Sequence, residues 1–262
     1  MKKVYNGVLF TDIDGTWKRD SMFLDIVKEM MANGCYSSSE RWELNRLEHE
    51  WLTRKGTFES YILKAVEVFE LNLRGVTERS FRATVHKILA NNCQQVYRYM
   101  RALIAKKQSE GWLIHAVSAS PEYAVEKFCT HWGVDSFTGT KMTIEDGVHT
   151  GERFVVDYDR KIEAVRNILS EIELTNPENI WACGDTSGDV AMMSLARYAI
   201  AVNPSADLVK TCLLKNWVMV WERKDVITER LEAGDILYSL NADNSLDILQ
   251  NDNPRMLSTL EM

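Results

Sequence analysis

The stretch Gly7 to Trp17, GVLFTDIDGTW, constrains this chain more than any other. An apolar run, Val8-Leu9-Phe10, ends abruptly in two aspartates, Asp12 and Asp14, with a glycine and a threonine after them. Residues 4–11 alternate and then become continuously apolar, the pattern of a buried strand. Such a strand places its two carboxylates at a sheet edge. At positions i and i+2 of an extended segment both side chains point to the same side. Two carboxylates held close repel, which raises one pKa and helps keep an acid protonated.

The chain changes character after this strand. From about residue 20 to residue 110 the pattern is almost purely helical. SSSERWELNRLEHEWLTRK puts Leu44, Leu47 and Trp51 on one face, and Ser37 and Glu40 have the spacing of a capping box. Tyr61, Ala65 and Phe69 mark the next helix. Val85, Leu89, Val96, Met100, Leu103 and Ile104 predict one long helix after that. Gly34, Gly56 and Gly75 stand between segments as stops.

After Gly111 strands and helices alternate. WLIHAVS reads as a buried strand ending at Ser118. SPEYAVEKFCTHWG reads as a helix with Ser120 as N-cap, Pro121 first and Gly133 as the stop. FTGTKMTIEDGVHTG predicts a hairpin around Asp146-Gly147. Residues 159–173 read as a helix, NIWACGD as a strand and 187–197 as a helix, with strands at YAIAV and WVMVW. Alternation predicts an α/β fold, a Rossmann-like parallel sheet core with an inserted all-helical cap domain. The expected division is 1–19 and 111–222 for the core and 20–110 for the cap. Residues 223–262 form an extension polar enough, in LNADNSLDILQNDNP, to be loosely attached or disordered.

Composition narrows the class. With 262 residues, 45% hydrophobic and 26% charged, the chain can bury a sizeable core. The formal net charge is −7. No basic stripe stands out beyond Lys106-Lys107, so a nucleic-acid partner is not expected. Five scattered cysteines without a CxxC disfavour zinc and disulfides and predict a reduced, cytoplasmic protein. The segment before Asp12 is too short for a signal peptide, and no run approaches the ~20 apolar residues of a membrane span.

Four features carry chemistry, and three of them stand where strands end. They are Asp12-Ile13-Asp14-Gly15-Thr16, Ser118, Lys161 at the start of a helix, and Gly184-Asp185-Thr186-Ser187-Gly188-Asp189. Ligands bind at the carboxyl edge of such sheets. Singly each has a plain reading. Asp-x-Asp-Gly occurs in simple turns and in calcium loops, although Gly15 comes too early for the latter. A serine caps, a lysine is solvated, and GDTSGD starts a helix.

In this order the pieces TDIDGT, AVSASPEY, TGTKMTIEDGVHTG, DYDRK and CGDTSGD resemble the haloacid dehalogenase superfamily of phosphohydrolases. The chain is similar to its phosphoserine-phosphatase-like branch, which carries a helical cap between the first and second motifs. The resemblance spans Thr11 to Asp189 and leaves out the tail. It implies a phosphatase acting on a small phosphorylated metabolite, phosphoserine or a phosphorylated amino alcohol among the candidates.

By that resemblance Asp12 is the nucleophile, forming an aspartyl-phosphate, and Asp14 the general acid and then base. Ser118 hydrogen-bonds a phosphate oxygen, and the amides after it, beginning at Ala119, open an anion site. Lys161 neutralises nucleophile and phosphate as a point charge. The implied cofactor is Mg²⁺, held by Asp12, the Asp14 carbonyl and Asp185, with Asp189 in support. Thr16 fixes the loop and, with Ala119, Asp20 and Ser21, lies on the substrate side.

Substrate choice is expected in the cap. Its aromatics, Trp17, Phe23, Trp42, Trp51, Phe58 and Tyr61, read first as packing and second as a cage for a quaternary ammonium. Arg41, Arg46, Arg54 and Arg74 are candidate receivers of a substrate carboxylate. Gly15 stands where phosphoserine phosphatases commonly show serine. The same motifs serve phosphotransferases, and a catalytically idle binding protein is the non-enzyme alternative. Dehalogenation is disfavoured because Asp14 is the acid/base expected of phosphatases.

Overall fold

The computed structural model describes residues 4–134, 136–174, 176–231, 234–240, 246–251, 258–260 and 262. Strand β1, Val8–Thr11, lies inside a sheet that has ten strands among the described residues. Strand β2, Leu113–Pro121, pairs with β1 in parallel on one side. Strand β5, Ile180–Gly184, does the same on the other. Beyond β5 lie β6, Tyr198–Val202, and β7, Val218–Arg223, both parallel. Beyond β2 lies β3, Ser136–Glu145, parallel, and then β4, Val148–Phe154, antiparallel to β3. The chain thus leaves β1 toward one edge and returns at β5 toward the other. Such a switch point opens a crevice at the carboxyl ends of the central strands.

Five helices lie between β1 and β2. They are α1, Met22–Ala32; α2, Ser38–Leu52; α3, Phe58–Leu73; α4, Glu78–Asn92; and α5, Arg98–Ser109. The Ser37–Glu40 capping box forms at α2 as its spacing predicts. The remaining helices belong to the alternating part: α6, Glu122–His131; α7, Tyr158–Ile172; α8, Val190–Met193; and α9, Ala206–Lys215. Alternate residues of β1 serve two cores. Leu9 packs with the cap helices and α6, while Val8 and Phe10 pack with residues of α7, α8 and α9. All three are fully buried. At about 1.5–3 kcal/mol each, their burial offsets the several kcal/mol that desolvating the adjacent carboxylate costs. The apolar run is what holds the charges in place.

Three expectations are corrected. The single long helix through Val85 and Ile104 is two helices, α4 and α5, separated at residues 93–97. Backbone groups freed there pair with the loop leaving β1: Arg19 N donates to Gln95 O, and Tyr97 N to Trp17 O. The helix expected at 187–197 is a 3₁₀ turn at Ser187–Asp189 followed by the one-turn α8.

The extension is also not loosely attached where it is described. Strands β8, Val226–Leu231, β9, Gly234–Leu240, and β10, Leu246–Asn251, continue the sheet antiparallel from β7. Ser258 and Thr259 are buried; Thr259 N donates to Glu229 Oε1, and its hydroxyl bonds the Tyr99 hydroxyl. Its polar residues satisfy one another inside, so polarity there does not signal exposure. The rest of the extension lies outside the described residues.

Candidate active site

The register of the three central strands sets the site. Thr11 is level with Ala116 of β2 and Cys183 of β5. Asp12 and Asp185, the first residues past β1 and β5, therefore lie beside Ser118 of β2. Asp12 stays tied to the next strand through its amide, which donates to Cys183 O at 3.0 Å. Lys161 arrives from the first turn of α7, whose N-cap, Asp157, accepts from Arg160 N.

Lys161 joins the pieces. Its Nζ donates to Asp12 Oδ1 at 2.7 Å and to Asp189 Oδ1 at 2.6 Å, and all three residues are buried. The other oxygen of Asp189 accepts from the amides of Asp185 and Thr186, each at 3.1 Å. Asp189 thus positions both the lysine and the loop. Thr16 Oγ1 donates to Asp185 Oδ1 at 3.2 Å, linking the loop after β1 to the loop after β5.

Asp14 has a separate environment. Its Oδ2 accepts from Ser120 Oγ at 2.6 Å and, at 3.4 Å, from Ser118 Oγ; its Oδ1 accepts from Met22 N at the start of α1. Ser120 is therefore not the N-cap of α6. Pro121 holds the cap position and no side chain bonds there. Strand β2 runs on through Pro121, so Ser118 and Ser120, two residues apart, face one way toward Asp14. Ser120 is a site residue that its sequence context assigns to a helix cap instead. Lys18 is another that the sequence pattern does not flag: 1% exposed, its Nζ donates to Asp25 Oδ2 at 2.8 Å, close enough to Asp14 to act on its charge. The Ser-x-Ser spacing is a usable signal for the first. The sequence offers no comparable signal for the second, since Lys18 is followed by Arg19, Asp20 and Ser21.

Burial dominates the electrostatics of the site. It pushes the Asp12 carboxyl up to about 8; Lys161 pulls it down, while Asp189 and Asp14 push it further up. Burial also raises Asp185 well above its usual range, with repulsion from Asp189 and Asp12 added. Burial raises Asp14, and the bonds from Ser120 and Met22 and the charge of Lys18 hold it back. For Lys161 burial alone would lower the pKa, but Asp12 and Asp189 outweigh it, so the ammonium stays charged.

One carboxylate oxygen from each of Asp12, Asp185 and Asp189 falls within 4.8 Å of the others. Three buried acids against one ammonium cannot all ionise without further positive charge, in keeping with the raised Asp12 and Asp185. Hard oxygen donors with unbalanced charge fit a hard divalent cation such as Mg²⁺. The Asp14 carboxylate stands outside this trio, among the described residues. Gly15 allows the trio to close: its φ is +83°, and a Cβ there would lie 2.2 Å from Asp185 Oδ2.

Of the substrate-side candidates, Ser21 caps α1 by accepting from Leu24 N. Asp20 has φ of 63° and its carbonyl accepts from Gly15 N. Ala119 is exposed, and its carbonyl accepts from Thr140 Oγ1. The cap aromatics divide. Trp17, Phe23 and Tyr61 are buried, as packing predicts, but Trp42 is 66% exposed and Phe58 39%. Arg46 pairs with Glu50, and Arg74 donates to Thr150 O.

A family model of haloacid dehalogenase-like hydrolases matches residues 9–194, which hold every one of these groups. The chain belongs to that family. A probable phosphatase of Mycobacterium tuberculosis is 29% identical over 152 residues, covering 57% of this chain and 52% of its own length. A phosphoserine phosphatase of Lactococcus lactis is 29% identical over 101 residues, 38% of this chain and 46% of that protein. The chain spans about half the length of these curated relatives.

Solved structures show the same fold at lower identity. A phosphoserine phosphatase holding a phospho-aspartyl intermediate analogue has a TM-score of 0.55 at 21% identity, covering 80% of this chain and 91% of that one. A protein of unknown function from Bordetella pertussis has a TM-score of 0.66 at 17% identity, covering 81% and 96%. The haloacid dehalogenase-like fold with its helical cap is therefore shared. Among the described residues, no helix is long and apolar enough to cross a membrane.

Proposed function

We propose that this haloacid dehalogenase-like protein is a Mg²⁺-dependent phosphomonoesterase acting on a small phosphorylated metabolite. The observation that carries this reading is the separation of the two neighbouring aspartates. Asp12 is bound by Lys161 within the carboxylate trio, and Asp14 by two serine hydroxyls and an amide outside it. Two carboxylates with different partners suit two different tasks.

Asp12 attacks phosphorus and displaces the alcohol, forming an aspartyl-phosphate; the P–O bond to the leaving group breaks as the new one forms. Asp14, whose pKa burial raises, gives its proton to the leaving oxygen. The resulting Asp14 carboxylate then takes a proton from the water that hydrolyses the aspartyl-phosphate. Ser118 and the amides after it receive the phosphate oxygens, and Lys161 offsets their charge. Asp12, Asp185 and Asp189 would hold Mg²⁺, with the Asp14 carbonyl as a further ligand. When bound, the ion supplies positive charge that offsets the repulsion between the Asp12 carboxylate and the phosphate.

Phosphoserine, which the Lactococcus lactis relative is named for, and the phosphorylated amino alcohols are the substrate candidates. Asp20 and Ser21, at the entrance to α1, are the candidates to meet the leaving group. The test is phosphate release from phosphoserine, phosphoethanolamine, phosphocholine, glycerol phosphate and sugar phosphates, with and without Mg²⁺. Release that needs Mg²⁺ and discriminates among these supports the reading. Absence of Mg²⁺-dependent release from every one of them refutes it.

A further inference from the structure

Strand β2 carries a bulge where it meets the site. Its pairing with β3 steps from Val117 opposite Thr138 to Pro121 opposite Thr140. Ser118, Ala119 and Ser120 therefore stand against the single residue Gly139 of the partner strand. A bulge of this kind re-aims side chains and is common beside active sites. Thr140 pins its middle, donating from Oγ1 to Ala119 O at 2.7 Å. Ala119 is exposed, while Ser118 and Ser120 on either side of it are buried.

The two donors of Ser120 go to two different groups of the site. Its amide donates to Ser118 Oγ at 3.0 Å, and its hydroxyl to Asp14 Oδ2 at 2.6 Å. Ser118 Oγ stands 3.4 Å from the same Oδ2. This oxygen of Asp14 therefore lies on the side of the serine assigned to phosphate. The other oxygen, Oδ1, accepts from Met22 N at the start of α1. An amide can only donate, and it pairs best with the oxygen of an acid that carries no proton. The transferable proton accordingly belongs on Oδ2, beside Ser120.

We propose that Ser120 is a positioning residue for proton transfer, its hydroxyl holding Asp14 Oδ2 toward the leaving oxygen of the substrate. The proposal rests on the phosphatase reading. As the P–O bond to the leaving group breaks, the proton passes from Oδ2 to the leaving oxygen, and Asp14 is left as a carboxylate. The Ser120 hydroxyl then donates to an ionised oxygen, and such a bond is roughly twice as strong as one between neutral groups. The contact is thus tighter after the transfer than before it, which is the condition for speeding the step. When Asp14 takes a proton from the attacking water, Oδ2 becomes neutral again with the same partner.

Ser120→Ala removes the hydroxyl and keeps the amide. The bond from Ser120 N to Ser118 Oγ survives, as does the Thr140 contact that pins the bulge. Its effect should therefore fall on the acid and not on the phosphate-binding serine. A serine that only filled the bulge would slow every substrate alike.

The test compares the best substrate of the metabolite panel with its phosphorothiolate analogue, in which sulfur replaces the leaving oxygen. An alkoxide needs a proton to leave, and a thiolate does not. The readout is kcat/KM, which covers the steps up to departure of the leaving group. Ser120→Ala should lose about tenfold or more on the ester and no more than about threefold on the analogue. On the ester alone, Ser120→Ala should cost nothing further in an Asp14→Asn background, because the two residues act as one. No loss, an equal loss on ester and analogue, or a further loss in the Asp14→Asn background overturns the role of Ser120 and leaves the phosphatase reading standing. Release from no ester of the panel refutes that reading, and this proposal with it. Ser120→Cys, close in size and a weak donor, decides the matter in the same way if Ser120→Ala does not fold.

Discussion

The Lys161 ammonium lies 2.7 Å from the Asp12 carboxylate, though 149 residues separate them in sequence. The same nitrogen also holds Asp189. One cation thus holds together two carboxylates that mutual repulsion would otherwise drive apart.

Lys161→Met should therefore be severe. It removes the charge while keeping length and bulk, and leaves Asp12 and Asp189 without their cation. A fall of about 10²–10³ in kcat is expected, the scale seen when one charge-stabilising donor is lost. Steady-state kinetics on the best substrate of the panel checks it. Retention of more than a tenth of the activity would contradict the role given to Lys161.

Gly15→Ala tests the closure of the trio. An added methyl meets Asp185 Oδ2 at 2.2 Å and sits on a backbone with φ of +83°. A loss of stability of about 1–3 kcal/mol is expected from the backbone conformation. Weaker Mg²⁺ binding, read as a higher Mg²⁺ requirement, should accompany it because Asp185 must move. Urea denaturation and a Mg²⁺ titration of activity read the two effects separately.

His115 links stability to pH outside the site. Burial pushes its pKa down to about 4, and Ser136 and Thr138 hydroxyls bond both ring nitrogens. The unfolded chain takes up this proton below about pH 6.5, before the folded one does. Stability contributed by the neutral ring is present above pH 6.5 and is lost as pH falls toward 4, by up to about 3 kcal/mol. His115→Gln should flatten the stability profile across that window. An unchanged slope would remove His115 as its source.

Thr259→Val asks whether the extension is bound. The hydroxyl bonds both Tyr99 and Glu229 in a buried place. A loss of about 1–2 kcal/mol is expected. A loosely attached tail would give no change in a thermal or urea melt.

The central strand, the order of the chemical groups and the inserted helices are legible in the sequence, because local patterns encode them. Val8-Leu9-Phe10 must be buried, and a capping box at Ser37 needs only neighbours in sequence. The features that escape such reading depend on distant partners. Ser120 reads as a helix cap until β2 is seen to run through Pro121 and aim it at Asp14. The break between α4 and α5 is stabilised by the loop after Asp14, more than seventy residues away by the pairing of Arg19 with Gln95. In β8 the buried positions are Ile227 and Glu229. A glutamate on the inner face hides the period of two that would have marked a strand.

The central claim is that Asp12 attacks phosphorus. Rapid quenching during turnover, with mass spectrometry of the Asp12 peptide, tests it most directly. A phosphoryl group on Asp12 is expected in the native protein, and neither phosphoryl group nor turnover in Asp12→Asn. Turnover at the native rate in Asp12→Asn, or a phosphoryl group trapped on a different residue, would contradict it.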